Sequence, residues 1–467
     1  MGLRVAIAVA ILGGLVLIGV IAFFIVPSRR GPRLALGATL ITALVLALIA
    51  LVLAPLSPLG MSPASKKLSV YFTGQVCDTS PFARDQTCAS GLMGLNDLHA
   101  SDGTLRWDAK ADRSNGNQNS VYYGAPALHD RVIYTVRGPA PPNDTAATLF
   151  ALQATDGSEI WRAPVDAKPL RITVQDGQIL MLLKYREDQS HMLVLSASDG
   201  RVIQKLTLPL VTSFFIADGL LIGCASYPDA ARSVWLFAAW RLNDGAQVWS
   251  DSTPLGIPNN PNTPTNILAC SLDVAGGIVY AAPIAGGLVT AARIADGGRV
   301  WERRLDFVGA IAVSASRLIA ATAPTVYTMK QSHSGAQIER ALALDLATGQ
   351  TVWERSLPAG LPDGPGSNVF LTISGDMAYV AAAKHLRAFR VTDGALLWQA
   401  SDKGGASYFD PVVEQGTLYV SYAYEFAGPR QELQEPAQGQ IRALDASTGS
   451  LFWSVQVLSS GFSVGEV

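Results

Sequence analysis

Along residues 171–208 short apolar runs alternate with polar punctuation: RITVQ, then Asp176 and Gly177, QILMLLKY, the polar stretch REDQSH, MLVLSAS, then Asp199 and Gly200, and RVIQKLTL. This spacing predicts four short β-strands joined by turns. The same succession recurs through most of the chain after residue 67. Its clearest marker is an eleven-residue run, fullest at Ala443 to Trp453 (ALDASTGSLFW). The run occurs eight times, with central glycines at Gly103, Gly157, Gly200, Gly245, Gly297, Gly349, Gly394 and Gly449, spaced 43 to 55 residues apart. A period of that length marks a repeat architecture. The Asp-Gly and Thr-Gly steps suit tight turns between the third and fourth strands, because glycine accepts positive φ and Asp or Thr bonds the local backbone.

Tryptophan stands four positions after the glycine at Trp107, Trp161, Trp249, Trp301, Trp353, Trp398 and Trp453, and only Gln204 departs. A small sheet has an apolar face that it cannot bury alone. The tryptophans are therefore expected to wedge between neighbouring sheets, and eight four-stranded antiparallel sheets arranged radially make an eight-bladed β-propeller. Before Trp107 there is room for only three strands, while GFSVGEV remains unpaired after the last repeat. That C-terminal strand is expected to complete the first blade and close the ring, removing exposed sheet edges.

The first 55 residues follow another pattern. Residues 5–26 and 34–54 carry no charge, and each is long enough to cross a hydrocarbon core of roughly 30 Å. They read as a hairpin of two transmembrane helices that binds the lipid bilayer, followed by a linker over 56–67 and the propeller over 68–467. Between the spans lie Arg29, Arg30 and Arg33, which the positive-inside rule assigns to the cytoplasm. Both termini and the propeller are then expected outside, on a two-pass protein of the cytoplasmic membrane. All 37 acidic residues but only 31 of the 35 basic ones follow residue 60, a balance that argues against a nucleic-acid partner.

The pattern Ala, x, Asp, x, x, Thr, Gly, x, x, x, Trp is met in full at Ala343 to Trp353 and at Ala443 to Trp453. It resembles the repeat of quinoprotein-like (PQQ-like) propellers over roughly residues 68–467. The other copies are partial: the third position is Gln153 after Ala151, and an arginine after Ala239, Ala291 and Ala388. The resemblance implies the eight-bladed fold. It leaves function open, because that fold serves dehydrogenases, assembly scaffolds and other proteins. In the dehydrogenase branch pyrroloquinoline quinone and calcium sit over the ring centre, often beside adjacent cysteines, which this chain lacks. Its histidines, His99, His129, His191, His333 and His385, are scattered at spacings unsuited to a metal. No cofactor, metal site or catalytic residue is therefore expected. The expectation is a non-catalytic binding or scaffolding module, and the alternative is a PQQ-dependent membrane-bound dehydrogenase.

Antiparallel order sorts the loops onto two faces. The turns between strands one and two and between three and four are short, whereas the insertions 75–91, 111–123, 137–147, 251–266, 326–339, 358–368 and 424–440 fall on the other face. Insertions confined to one face usually mark a binding surface. Its candidates are Tyr122, Tyr123, Asn259, Asn260 and Arg430, within a set that includes Asn115, Asn117, Asn119, Asn262 and Glu432, suited to a protein or polar polymer. Residues 56–67 lead into a second strand, so the short-turn face is expected to look toward the membrane. Cys77 and Cys88 bracket a polar stretch and form a candidate disulfide worth roughly 3 kcal/mol in the loop-entropy model. Cys224 and Cys270 sit in apolar runs and are expected to be buried free thiols packed in the core.

Overall fold

The computed structural model describes residues 68–76, 94–109, 120–139, 147–165, 169–184, 189–209, 211, 213–228, 232–258, 270–283, 287–305, 308–322, 339–357, 369–382, 385–401, 406–424 and 437–466. The expected membrane hairpin and linker lie outside these residues.

Among the described residues every regular element is a β-strand. Six separate four-stranded antiparallel sheets and one seven-stranded sheet follow one another along the chain. Blade three shows the unit: Pro169–Gln175, Gln178–Lys184, Gln189–Ser196 and Val202–Pro209, paired in that order. The seven-stranded sheet is two blades fused. Its central strand, Leu451–Glu466, pairs with Ala437–Asp445 through Leu451 to Ser459, and with Leu68–Val76 through Val457 to Glu466. One strand is thus the outermost of blade eight and the innermost of blade one, which brings the propeller to eight four-stranded blades. GFSVGEV completes blade one as the continuation of the preceding strand rather than as a separate one, because Val457 to Ser459 pair on both edges.

Eight hydrophobic clusters hold the ring, one between each pair of neighbouring blades. Blades one and two share Tyr71, Leu95, Ile133 and Leu152, while blades eight and one share Tyr419, Ile441, Trp453, Val70 and Leu98. The first strands of neighbouring blades approach one another, as Cys270–Ala275, Val308–Val313 and Val369–Ser374 do in succession, and so surround the ring centre. Fourth strands such as Glu159–Val165 and Leu396–Ser401 are largely exposed at the rim. The turns between first and second strands of blades two, three, four, five and eight hold two consecutive positive-φ residues, as at Asp176 (φ 50) and Gly177 (φ 69). Their handedness suits the twist of a two-residue hairpin.

Several expected insertions are partly strand. Residues 251–258 extend the fourth strand of blade four, Gln247–Pro258, and 437–440 belong to Ala437–Asp445. Polar sequence there pairs by register across the hairpin, for example Thr253 with Trp235.

Candidate functional site

The repeat's own side chains are used at blade boundaries. Each tryptophan lies beneath the turn glycine of the following blade, where a methyl group on Gly394 would meet Trp353 at 2.5 Å and one on Gly449 would meet Trp398 at 2.6 Å. The indole Nε1 donates to the backbone carbonyl three residues before that glycine: Trp249 to Ile294, Trp301 to Leu346, Trp353 to Val391 and Trp453 to Ala100, each at 2.8 Å. In the exceptional blade, Gln204 Nε2 donates to Asn243 O and Leu206 fills the space beneath Gly245. The shorter amide side chain reaches a carbonyl nearer the turn and makes the same kind of bond.

Within the turns, the polar residues of the motif exchange roles. Asp345 Oδ1 accepts from the Ala347 and Thr348 amides and the Thr348 hydroxyl, which lowers its pKa. Where the third position is arginine, the sixth is aspartate, and the two pair: Arg241 with Asp244 at 2.6 Å, Arg293 with Asp296 at 3.0 Å and Arg390 with Asp393 at 2.9 Å. Both versions close the turn, so the partial copies are alternative solutions to one local problem.

Sequence reasoning missed a second aromatic layer. Tyr71, Tyr134, Tyr280, Tyr379 and Tyr419, on second strands, pack at 5.9 to 6.1 Å from the tryptophan of their own blade. The recurrence of Tyr134, Tyr280, Tyr379 and Tyr419 three residues after the first hairpin turn was the available signal. Tyr71, Tyr134 and Tyr280 also donate to the carbonyls that the tryptophans use.

Blade one departs from the others. The alanine of the motif, opposite the tryptophan in the register, is here Asp97, which pairs with Trp107 and is fully buried. Arg106 Nη1 donates to Asp97 Oδ2 at 3.3 Å and to Ser69 Oγ at 2.8 Å, while Asp97 Oδ1 has no hydrogen-bond partner. Desolvation by burial raises the Asp97 pKa to about 6, against the opposing pull of Ser69 and Arg106.

The innermost strands carry the groups closest to the ring centre. Asp273 accepts from the Val313 amide of blade six at 2.6 Å and from the Val274 amide at 2.8 Å; burial nevertheless raises its pKa. Ser271 bonds both the N–H and the C=O of Ile311. Arg171, on the first strand of blade three, is exposed to solvent and lies 5.6 Å from the Phe214 ring of blade four. In blade eight Arg442 lies 3.5 Å over Tyr422 and donates to Tyr408 Oη and Gln440 Oε1. Among the described residues no three His, Cys, Asp or Glu side chains form a group able to hold a metal ion. Asp273, midway along the first strand of blade five, is thus committed to backbone amides.

The candidate residues fall into separate places. Tyr122 and Tyr123 are not in a loop: they lie on the first strand of blade two, Ser120–His129, opposite Arg137 and Val136. Asn259, Asn260 and Arg430, with Cys77 and Cys88, lie outside the described residues. The expectation for the other cysteines is corrected: Cys224 and Cys270 form a disulfide between the second strand of blade four and the first strand of blade five. Each apolar run delivers its cysteine to the same inter-blade cluster, so burial and pairing coincide.

No curated protein matches the chain. Among solved structures, BamB from Moraxella catarrhalis is 14% identical, with 78% of this chain and 93% of that chain covered and a TM-score of 0.49. Quinohemoprotein alcohol dehydrogenase from Comamonas testosteroni is 12% identical over 85% and 77% of the two chains, with a TM-score of 0.48. Dihydro-heme d1 dehydrogenase NirN is 13% identical over 88% and 78%, with a TM-score of 0.51, a likeness of fold. The family model described as outer membrane protein assembly factor BamB matches residues 94–305, 231–363 and 336–466. The chain belongs to this family of PQQ-like β-propeller repeat proteins.

Proposed function

We propose that the protein is a membrane-anchored, extracytoplasmic binding or scaffolding module that engages a protein or polar polymer through the face bearing its long connections. One observation carries this reading: the repeat's recurring chemistry is consumed in joining blades, as the tryptophan-to-carbonyl bonds from Trp249, Trp301, Trp353 and Trp453 illustrate. Recognition then falls to the segments that the repeat does not contain. The family description, an assembly factor, supports a protein-binding role. The Cys224–Cys270 disulfide supports an oxidising compartment, and residues 5–26 and 34–54 supply the anchor. No quinone is required in this reading.

Photocrosslinkers placed in intact membranes at 259–266 or 425–436 should capture a partner. Capture confined to the glycine turns would reverse the proposed orientation. Purified protein given pyrroloquinoline quinone and calcium should show no dye-linked oxidation of alcohols or sugars, and robust turnover would replace the scaffold by a dehydrogenase.

A further inference from the structure

Every fourth strand carries the same irregularity. Just before the tryptophan position its register against the third strand skips one residue, a β-bulge at the short-turn end of the blade. A bulge re-aims the side chain that it leaves unpaired. In blades two to eight that side chain is large and apolar, as at Ile160, Val300, Leu397 and Phe452, and all seven are between 37% and 56% exposed. In blade one it is Arg106, which turns inward to Asp97.

Apolar side chains on an outermost strand invite contact with other chains or surfaces, and proteins usually blunt such edges with charge. Blades two to six do so, with Glu159, Lys205, Asp251, Glu302 and Glu354 on successive fourth strands. Blades seven and eight do not. Neither Leu396–Ser401 nor the stretch from Leu451 to Ser459 contains a charged residue. Each exposes an apolar pair, Leu396 with Leu397 and Leu451 with Phe452. Blade three exposes a comparable pair, Val202 and Ile203, but beside Lys205. The exposed residues of blades seven and eight follow one another round the rim. Leu451 is registered opposite Leu444 and so shares its face, where Trp398 of blade seven lies in the same cluster and supports Gly449.

The entry of the chain lies at the same corner. Leu68 begins the second strand of blade one, and its carbonyl accepts from the Ala100 amide, in the turn that carries Gly103. Gly103 in turn packs on Trp453, the neighbour of Phe452. The uncharged stretch 34–54 ends shortly before that point, and residues 55–67 can span at most roughly 50 Å.

From this arrangement we infer that the short-turn corner of blades seven and eight, carrying Leu396, Leu397, Leu451 and Phe452, docks into the lipid interface beside the protein's own anchor. Charge-free outer strands avoid the cost of dehydrating ions there. The apolar side chains enter the boundary between headgroups and acyl chains to a depth of roughly 5–10 Å, while free backbone groups of the strands stay among headgroups and water, which bond them. The inference rests on the proposed membrane anchor and adds a second contact with the same bilayer.

The test uses full-length protein reconstituted in vesicles of phosphatidylcholine and phosphatidylglycerol, with a solvatochromic amino acid replacing Phe452, Leu397, Ile203 or Val300 in turn. At positions 452 and 397 its emission should shift to the blue and be quenched by nitroxide lipids, more by labels at the headgroup end of the acyl chain than at its methyl end. At 203 and 300, on blades three and five, emission should stay unshifted and unquenched. Leu451→Glu should abolish the quenching at 452 with melting unchanged. A blue shift without quenching, as a second copy or another protein on this surface would give, overturns the inference, and so does equal quenching at all four positions. Retention in the membrane pellet under alkaline carbonate reports the anchor separately. Retained protein with position 452 unquenched keeps the anchor and loses this contact, whereas released protein without quenching loses both.

Discussion

Asp97 occupies a place that the repeat otherwise gives to alanine or valine, and its chemistry follows from that substitution. Burial raises its pKa from 3.8 to about 6, so folding favours the protonated form. With the folded-state value above the unfolded one, the stabilisation is complete below about pH 4 and is lost as pH rises through about 6. Asp97→Asn should remove this component, so that the wild-type melting temperature falls between pH 4 and 7 relative to that of the variant. Parallel pH profiles would show that Asp97 does not titrate there. The two kinds of glycine separate in the same residue-level way. Gly177→Ala meets nothing within 4 Å and should cost only the positive-φ strain, about 1 kcal/mol; Gly394→Ala adds a clash with Trp353 and should cost more than twice that in denaturant unfolding. The glycine turns were legible because their residue type is dictated locally. Asp97 was visible as a break in the motif, but its burial depends on Arg106 and Ser69 from two other strands.

At the level of strands, the tryptophan period was readable because it encodes how one blade meets the next. Trp353 is 7% exposed and bonded across the boundary, and Trp353→Ala should cost roughly 3 to 5 kcal/mol. A loss near zero in thermal or denaturant unfolding would mean that the boundary tolerates the cavity. The disulfide was not legible. Cys224 and Cys270 are separated by 46 residues and lie on strands of different blades, so their meeting depends on the lateral packing of two sheets rather than on spacing along the chain. In the loop-entropy model a crosslink of that span contributes about 4 kcal/mol. Cys224→Ser with Cys270→Ser should therefore lower stability by an amount of that order, and reductant should destabilise the wild type more than the double variant. Arg171 lay outside the sequence reading for the same reason as the disulfide: its surroundings come from blade four.

The eight-blade count and the closure by C-terminal residues were readable at the level of the ring, since both follow from counting strands. The continuity of Leu451–Glu466 across two blades was not, because one strand and two adjacent strands have the same apolar pattern. Removing residues 459–467 should strip Leu68–Val76 of its inner partner and expose an open edge. Size-exclusion chromatography should then show aggregates, whereas a monomer with unchanged melting would refute closure by this strand. The shared strand also imposes an order in time. Blade one begins with residue 68 but is finished only by residues 457–466, so during synthesis its second strand waits with one side unpaired while seven other blades are made. The last register to form joins positions almost 400 residues apart, such as Leu68 and Glu466, and ring formation therefore belongs after translation rather than during it.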